Sequence, residues 1–329
     1  MDGASAAVEE LGSQILSSDF LSAFFSHPSA IAFTAVIIEL AIPIPGSCRV
    51  GALAPIFRAM GRKVNLQSNT SAQGYFAGAM LAAVIVGAAL AIVLLLHALT
   101  GFDAILSLVI LPFLLDSGSA VRCSLRTRAA LRKGDKEKAR AELSRFCQRD
   151  TDRLSPMGIC KASSEYAAVS MTASWLGVIA WFEVLGLEGA VAMALVNALA
   201  RTFPAKFPEY RSFGQPILSI FEAMLVLPCC VLTLLMPLSL SPRRSFKRAI
   251  RGALDYPDST TGYAMGALGG CVNVSMGGPR SYRGQVVRFP RIGGFEQPGE
   301  DAALGITRRA CFVGVAFATA CMVVPLALG

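Results

Sequence analysis

The sequence predicts an all-α, polytopic integral membrane protein with five to seven membrane segments, some of them candidates for broken or re-entrant helices, and a cytoplasmic helical hairpin. Three observations lead there. The stretch from Tyr75 to Leu99 contains no charge and no proline, and a bilayer core needs about 20 apolar residues of helix to cross it. Hydrophobic residues make up 54% of the chain, above the roughly 45–50% of ordinary globular proteins. Further apolar runs occupy Ile31 to Ile44, Ile105 to Leu115, Ala173 to Leu199, Ile217 to Leu240 and Ala310 to Leu328.

Taken in chain order, the first thirty residues carry Asp2, Glu9, Glu10 and Asp19 but no lysine or arginine. That pattern lacks the basic start of a cleavable signal peptide and places the N-terminus outside, because basic loops are the ones retained in the cytoplasm. The first apolar run is short and ends in Pro43-Ile44-Pro45, a candidate break. Arg49, Arg58, Arg62 and Lys63 then fall on the cytoplasmic side and Thr100 to Asp103 outside. The run Ala173 to Leu199 reads either as one span or as a hairpin turning at Gly186-Leu187-Glu188-Gly189, and the hairpin keeps Arg201, Lys206 and Arg211 inside. A second turn at Pro228-Cys229-Cys230 would do the same for Arg243, Arg244, Lys247, Arg248 and Arg251. The segments expected are 1–120 (N-terminal membrane helices), 121–165 (basic cytoplasmic helices), 166–241 (membrane helices or hairpins), 242–307 (cytoplasmic basic and Gly-rich loops) and 308–329 (a final membrane helix). Localisation is accordingly a bacterial-type inner membrane, multi-pass, with the lipid bilayer as a partner.

The net charge of +8 lies in loops flanking apolar segments, where retention and contact with anionic headgroups account for it. It leaves room for an anionic substrate at the cytoplasmic face, but no nucleic-acid module is present. The nine cysteines have no CxxC spacing, and with only His27 and His97 a zinc or haem site is not expected.

Between Ser124 and Arg145 a partial apolar stripe, Leu125, Ala129, Leu131, Ala139 and Leu143, is interrupted by Gly134-Asp135, which predicts two short helices joined by a turn. Arg149-Asp150-Thr151 follows, and Ser155-Pro156 has the form of a helix N-cap with proline at the first helical position.

The run RKGDKEKARAELSRFCQRDTDRLSP resembles the cytoplasmic segment of the CobD/CbiB family of cobalamin biosynthesis proteins, with its Gly-Asp, Ala-Arg, Leu-Ser and Arg-Asp-Thr at this spacing. The likeness continues from Lys161 to Gly214 and returns at Gly277-Gly278-Pro279 and Arg291-Ile292-Gly293. It implies a membrane-embedded enzyme that joins aminopropanol or its phosphate to a corrinoid carboxylate as an amide. ATP and Mg²⁺ are implied for activating the carboxylate, and a corrinoid as substrate. Residue by residue, it places Glu165, Asn197, Lys206 and Glu222 as catalytic candidates and Glu165 with Asp150 as metal ligands. Arg149, Asp150, Tyr210, Arg211, Gly277, Gly278, Arg280 and Arg283 become candidates for binding substrate or phosphate.

Several acidic positions of the family pattern differ here: Val169, Ser170 and Ala173 follow Glu165, and Ala200 stands where an aspartate is expected. The alternative reading is therefore a catalytically degenerate member acting as a membrane scaffold, corrinoid carrier or regulatory partner, with a protein partner or a second copy of itself.

Each candidate also has a plainer role. Glu165 suits a first-turn helix carboxylate, Asn197 and Glu222 in apolar runs require polar partners, and Glu183 fits the wet end of a hairpin. The glycines of 269–270 and 277–278 suit tight turns and close helix packing. Arg149 and Asp150 suit an ion pair that locks the cytoplasmic hairpin down.

Overall fold

The computed structural model describes residues 27–328 except 43, 67 and 240, and from 324 onward only the backbone. The acidic N-terminal segment and the break expected at Pro43 lie outside the described residues.

Helix α1 (Pro28–Ala41) starts on a proline at its first turn. After two 3₁₀ turns come α2 (Ala54–Val64) and the long apolar α3 (Ser71–Thr100). The latter begins with a capping box, Thr70 with Gln73, and ends at Gly101 with φ +63°. Helix α4 (Asp103–Leu114) runs back, and Asp116 caps the N-terminus of α5 (Ser117–Arg132). Gly134 at φ +73° turns the chain into α6 (Lys136–Ser144), whose N-cap is Asp135. The expected short-helix pair is thus present, and Ala130, Leu131, Ala139 and Leu143 bury its seam against Ile159 and Cys160 of α7 (Pro156–Met171). Ser155 caps α7 by accepting from the Gly158 amide at 3.1 Å.

A π turn, Thr172–Leu176, joins α7 to α8 (Gly177–Thr202). Within the 47 residues from Pro156 to Thr202, Leu185 and Gly186 (φ +65°, ψ −153°) break the helical path. Asn197 bonds Ser174, Met193 packs at Gly177, and a Cβ at Gly189 would meet the Trp181 carbonyl at 2.3 Å. These pairings run antiparallel, so the first expected hairpin exists and its tip is Gly186. At the tip Glu183 accepts from Ser29 at 2.7 Å and Glu188 lies 3.0 Å from His97.

The second expected turn does not form. Helix α9 (Arg211–Leu235) continues through Pro228. A proline there leaves the carbonyl of Met224 without its helical donor, and the Trp181 indole supplies one at 2.9 Å. A neighbouring helix thereby repairs the ladder that sequence reasoning takes as broken.

The region expected as loops, 242–307, is ordered. It comprises α10 (Pro242–Asp255), α11 (Ser259–Cys271) and an antiparallel hairpin of β1 (Ser275–Tyr282) and β2 (Gln285–Gly293). The final helix α12 (Ala302–Leu328) starts eight residues before the apolar run suggests, and Asp301 at its start lies 2.5 Å from Arg128.

Among the described residues, five helical stretches are long and apolar enough to cross a membrane: Ser71–Thr100, Asp103–Arg132, Pro156–Thr202, Pro208–Leu238 and Ala302–Val323. The architecture is helical, with one two-stranded sheet among the described residues. Its two ends differ in charge. Glu183, Glu188 and His97 mark one end, whereas α5, α6, the β-hairpin and most arginines gather at the other, referred to below as the basic end.

Candidate functional site

The basic end holds two cavities, of about 850 Å³ and 520 Å³, which share Phe146, Cys147, Gln148, Tyr166, Asn197 and Arg201 in their walls. They form one cleft. The larger is lined by Arg49, Arg58, Arg122, Arg145, Arg201 and Arg283, with Asp116 the one acidic lining residue. The smaller is lined by Arg149, Arg201, Lys206 and Arg280 against Glu165 and Asp258.

Glu165, buried on α7, is the junction between helices and hairpin. One oxygen accepts from the Gly277 amide at 2.6 Å and lies 3.2 Å from Arg280, while the other pairs with Arg149. The glycine is required: it has φ +81°, and a Cβ there would sit 2.0 Å from the Pro290 carbonyl. Gly278, φ +86°, lies in the irregular step of the hairpin register between Gly277 and Pro279, beside the Lys161 ammonium. The hairpin amide is therefore committed to Glu165 rather than held out as a phosphate cradle, and this glycine pair turns a strand instead of packing membrane helices.

Asp150 clamps the other end of the hairpin. Its oxygens accept from the Ser281 hydroxyl at 2.6 Å and from the Arg283 and Gly284 amides, both at 2.8 Å. Those bonds, the Ser281 hydroxyl first and the Gly284 amide next, hold its carboxyl below the ordinary value. Arg149 and Asp150 thus form no ion pair with each other; each secures a separate point of the hairpin.

The structure does not bring the two expected metal ligands together. Glu165 is saturated by two guanidinium groups and an amide, Asp150 by the hairpin turn, and they share no partner. Adjacent arginines disfavour a divalent cation, so this donor set does not fit Mg²⁺. Among the described residues no group of three His, Cys, Asp or Glu could hold a metal.

Arg280 lies over Phe289, 4.6 Å from the ring centre, and donates to the Tyr256 hydroxyl at 2.6 Å. Lys206 sits between α8 and α9, 4.5 Å from the Tyr282 ring centre. Burial, then Arg280 and Arg149, lowers its ammonium to about 8. The same surroundings depress Arg149, through burial first and Arg280 second.

Asn197 lines both cavities and donates to Ser174 at 2.9 Å. Tyr210 lines the larger cavity and packs edge-on against Phe203. Arg283 also faces it while lying 2.5 Å from Glu209. Arg211 is exposed at the start of α9 and lines neither cavity.

Glu222 is likewise outside the cavity walls. It accepts from the amides of Thr260 and Thr261 at 2.9 and 3.3 Å and from both threonine hydroxyls. A carboxylate from α9 thereby caps the N-terminus of α11.

Sequence reasoning misses Arg49, Arg122 and Arg201 as site residues, since each reads as a marker of loop orientation. Arg49 gives Glu39 one nitrogen at 2.9 Å and has Asp116 3.9 Å from its Nε, yet among the described residues its Nε and Nη1 have no hydrogen-bond partner although buried in the cavity wall. Unsatisfied buried guanidinium donors suit an anion.

The model of the family described as CobD/Cbib protein matches residues 32–310. The chain is 26% identical over 219 residues to the "Cobalamin biosynthesis protein CobD" of Sinorhizobium fredii, covering 62% of this chain and 66% of that protein, just under two thirds of its length. Against the protein of the same name from Clostridium perfringens it is 26% identical over 253 residues, 74% of this chain and 79% of the relative. Against the "Probable cobalamin biosynthesis protein CobD" of Methanothermobacter thermautotrophicus it is 28% identical over 267 residues, 77% and 85% respectively. No solved structure matches.

Proposed function

Because the chain belongs to the CobD/Cbib family of cobalamin biosynthesis proteins, we propose that it joins aminopropanol, or its phosphate, to a corrinoid side-chain carboxylate as an amide. The observation that supports this reading is the double cavity whose walls carry far more cations than carboxylates. Corrinoid carboxylate, phosphorylated amine and nucleotide phosphates are all anions, and partly desolvated arginines bind such groups with charge-assisted hydrogen bonds. An activating nucleoside triphosphate would bring Mg²⁺ as part of the substrate.

Amide formation requires the attacking amine to lose a proton. Lys206 lines the smaller cavity, and in this reading it accepts that proton. The neutral form of Lys206 grows as pH rises through about 8. Amide formation should rise over the same range, and Lys206→Arg should remove that rise; an unchanged profile would sink the assignment.

The basic end faces the cytoplasm of an inner membrane in this reading, because basic segments are retained there. The start of α1 at the opposite end, next to Glu183, supports an outside N-terminus.

Calorimetric titration of the detergent-purified protein with a cobyric-acid-type corrinoid, and separately with Mg·ATP, tests the proposal. Saturable binding of both is expected, with Arg201→Gln weakening it by roughly tenfold or more for a lost charge-assisted bond. Binding of neither overturns the reading, and binding of the corrinoid alone converts the role to that of a carrier.

A further inference from the structure

Helix α10 faces two environments. Ser245, Ala249 and Gly252 are buried against α11, so closely that a Cβ at Gly252 would lie 2.1 Å from the Gly262 carbonyl. That contact fixes which way the helix is rotated. On another side Phe246, Ile250 and Leu254, spaced by four residues, are 46%, 42% and 79% exposed. Arg243, Lys247 and Arg251 run beside this apolar stripe, all exposed. The helix's remaining arginines are engaged within the protein: Arg244 donates to the Gly270 carbonyl at 2.8 Å and Arg248 lies over the Phe295 ring.

Its depth follows from its neighbours. Ser245 shares a crevice with Leu235 and Leu238 at the end of α9 and with Arg309 and Phe312 of α12. Arg309 is about 10 Å along α12 from its first residue, and that start is tied to the basic end through Asp301 and Arg128. α10 therefore lies where a membrane helix emerges. Leu234 near the end of α9 is 72% exposed and Leu238, in the 3₁₀ turn that follows it, is 54% exposed, so apolar side chains remain uncovered on the approach to α10.

We propose that α10 lies in the plane of the membrane boundary and docks on an anionic phospholipid surface. Phe246, Ile250 and Leu254 enter the outer acyl region, and Arg243, Lys247 and Arg251 meet headgroup phosphates. An apolar stripe flanked by cations is the pattern of an interfacial helix, and each cation near an anionic leaflet adds to the affinity. The helix packs at the end of an apolar membrane-length helix and its charge is mainly positive, Asp255 at its last residue, 3.8 Å from Arg251, being the one acid on it. Those two features favour lipid over a protein partner.

Hydrogen exchange of the full chain in nanodiscs tests this, comparing phosphatidylcholine alone with a phosphatidylcholine–phosphatidylglycerol mixture. The α10 amides should be at least about fivefold better protected in the anionic discs, as expected for about one cation's worth of surface attraction. Replacing Arg243, Lys247 and Arg251 together by Glu should abolish the difference. Unchanged exchange in α11 would show that the variant folds, and a milder triple replacement by Gln should give an intermediate result. Equal protection in both lipids, a difference that survives charge reversal, or protection that instead follows the number of protein copies per disc would each overturn the proposal.

Discussion

Glu165 and Glu222 are two carboxylates on apolar helices, and the molecule satisfies them by different means. Glu165 meets two guanidinium groups and one amide, whereas Glu222 meets only the dipolar groups at the start of α11. The first therefore holds buried cations in place beside a cavity, and the second holds only a helix end. What distinguishes a site carboxylate from a structural one here is the charge of its partners, not its own burial or its place in an apolar run.

The sharpest way to break this contrast is Glu165→Gln. It leaves Arg149 and Arg280 without their carboxylate in a buried setting, and the expected loss is about 3–5 kcal/mol. Denaturation of the detergent-solubilised protein reads it, and an unchanged midpoint would show that the arginines find other anions. Glu222→Gln should cost less, about 1–2 kcal/mol, because an amide oxygen still accepts from the helix start. Equal losses at the two positions would erase the distinction.

Asp150 supplies the smallest effect and a pH axis. Its folded carboxyl lies below the ordinary 3.8, so its contribution is present above that pH and is lost as pH falls through the folded value. Protection of the Arg283 and Gly284 amides, measured against their intrinsic exchange rates, should fall on acidification in this range. In Asp150→Asn the exchange should already be faster and should lack that pH dependence.

Features with local causes were legible in the sequence. Gly134-Asp135, Ser155-Pro156 and the Gly186 turn each act within a few residues, and all three appear where expected. Pro228 misleads because the group that rescues it, Trp181, lies 43 residues from the Met224 carbonyl that the proline frees. The β-hairpin is hidden for a similar reason: its glycines carry no sign that Glu165, 112 residues earlier, will bind the strand. For the site, Glu165, Asn197, Lys206 and Arg280 line one cavity, the smaller of the two. Arg49, Arg122 and Arg201 gather in the larger cavity but are not legible as site residues, since that gathering depends on how α5, α8 and the segment after α1 pack. Glu222 falls away from the cavities because its partners become visible only once α11 is set against α9.

The folded-back pair α7 and α8 also bears on how the chain is built. Between Glu165 and Arg201 the only charged side chains are Glu183 and Glu188, and both sit at the tip of the fold-back, beside its Gly186 turn. Their partners, Ser29 and His97, belong to α1 and α3, segments that leave the ribosome earlier. The receiving groups are thus already made when the acidic tip folds back, and the order of synthesis gives each carboxylate a polar partner waiting for it.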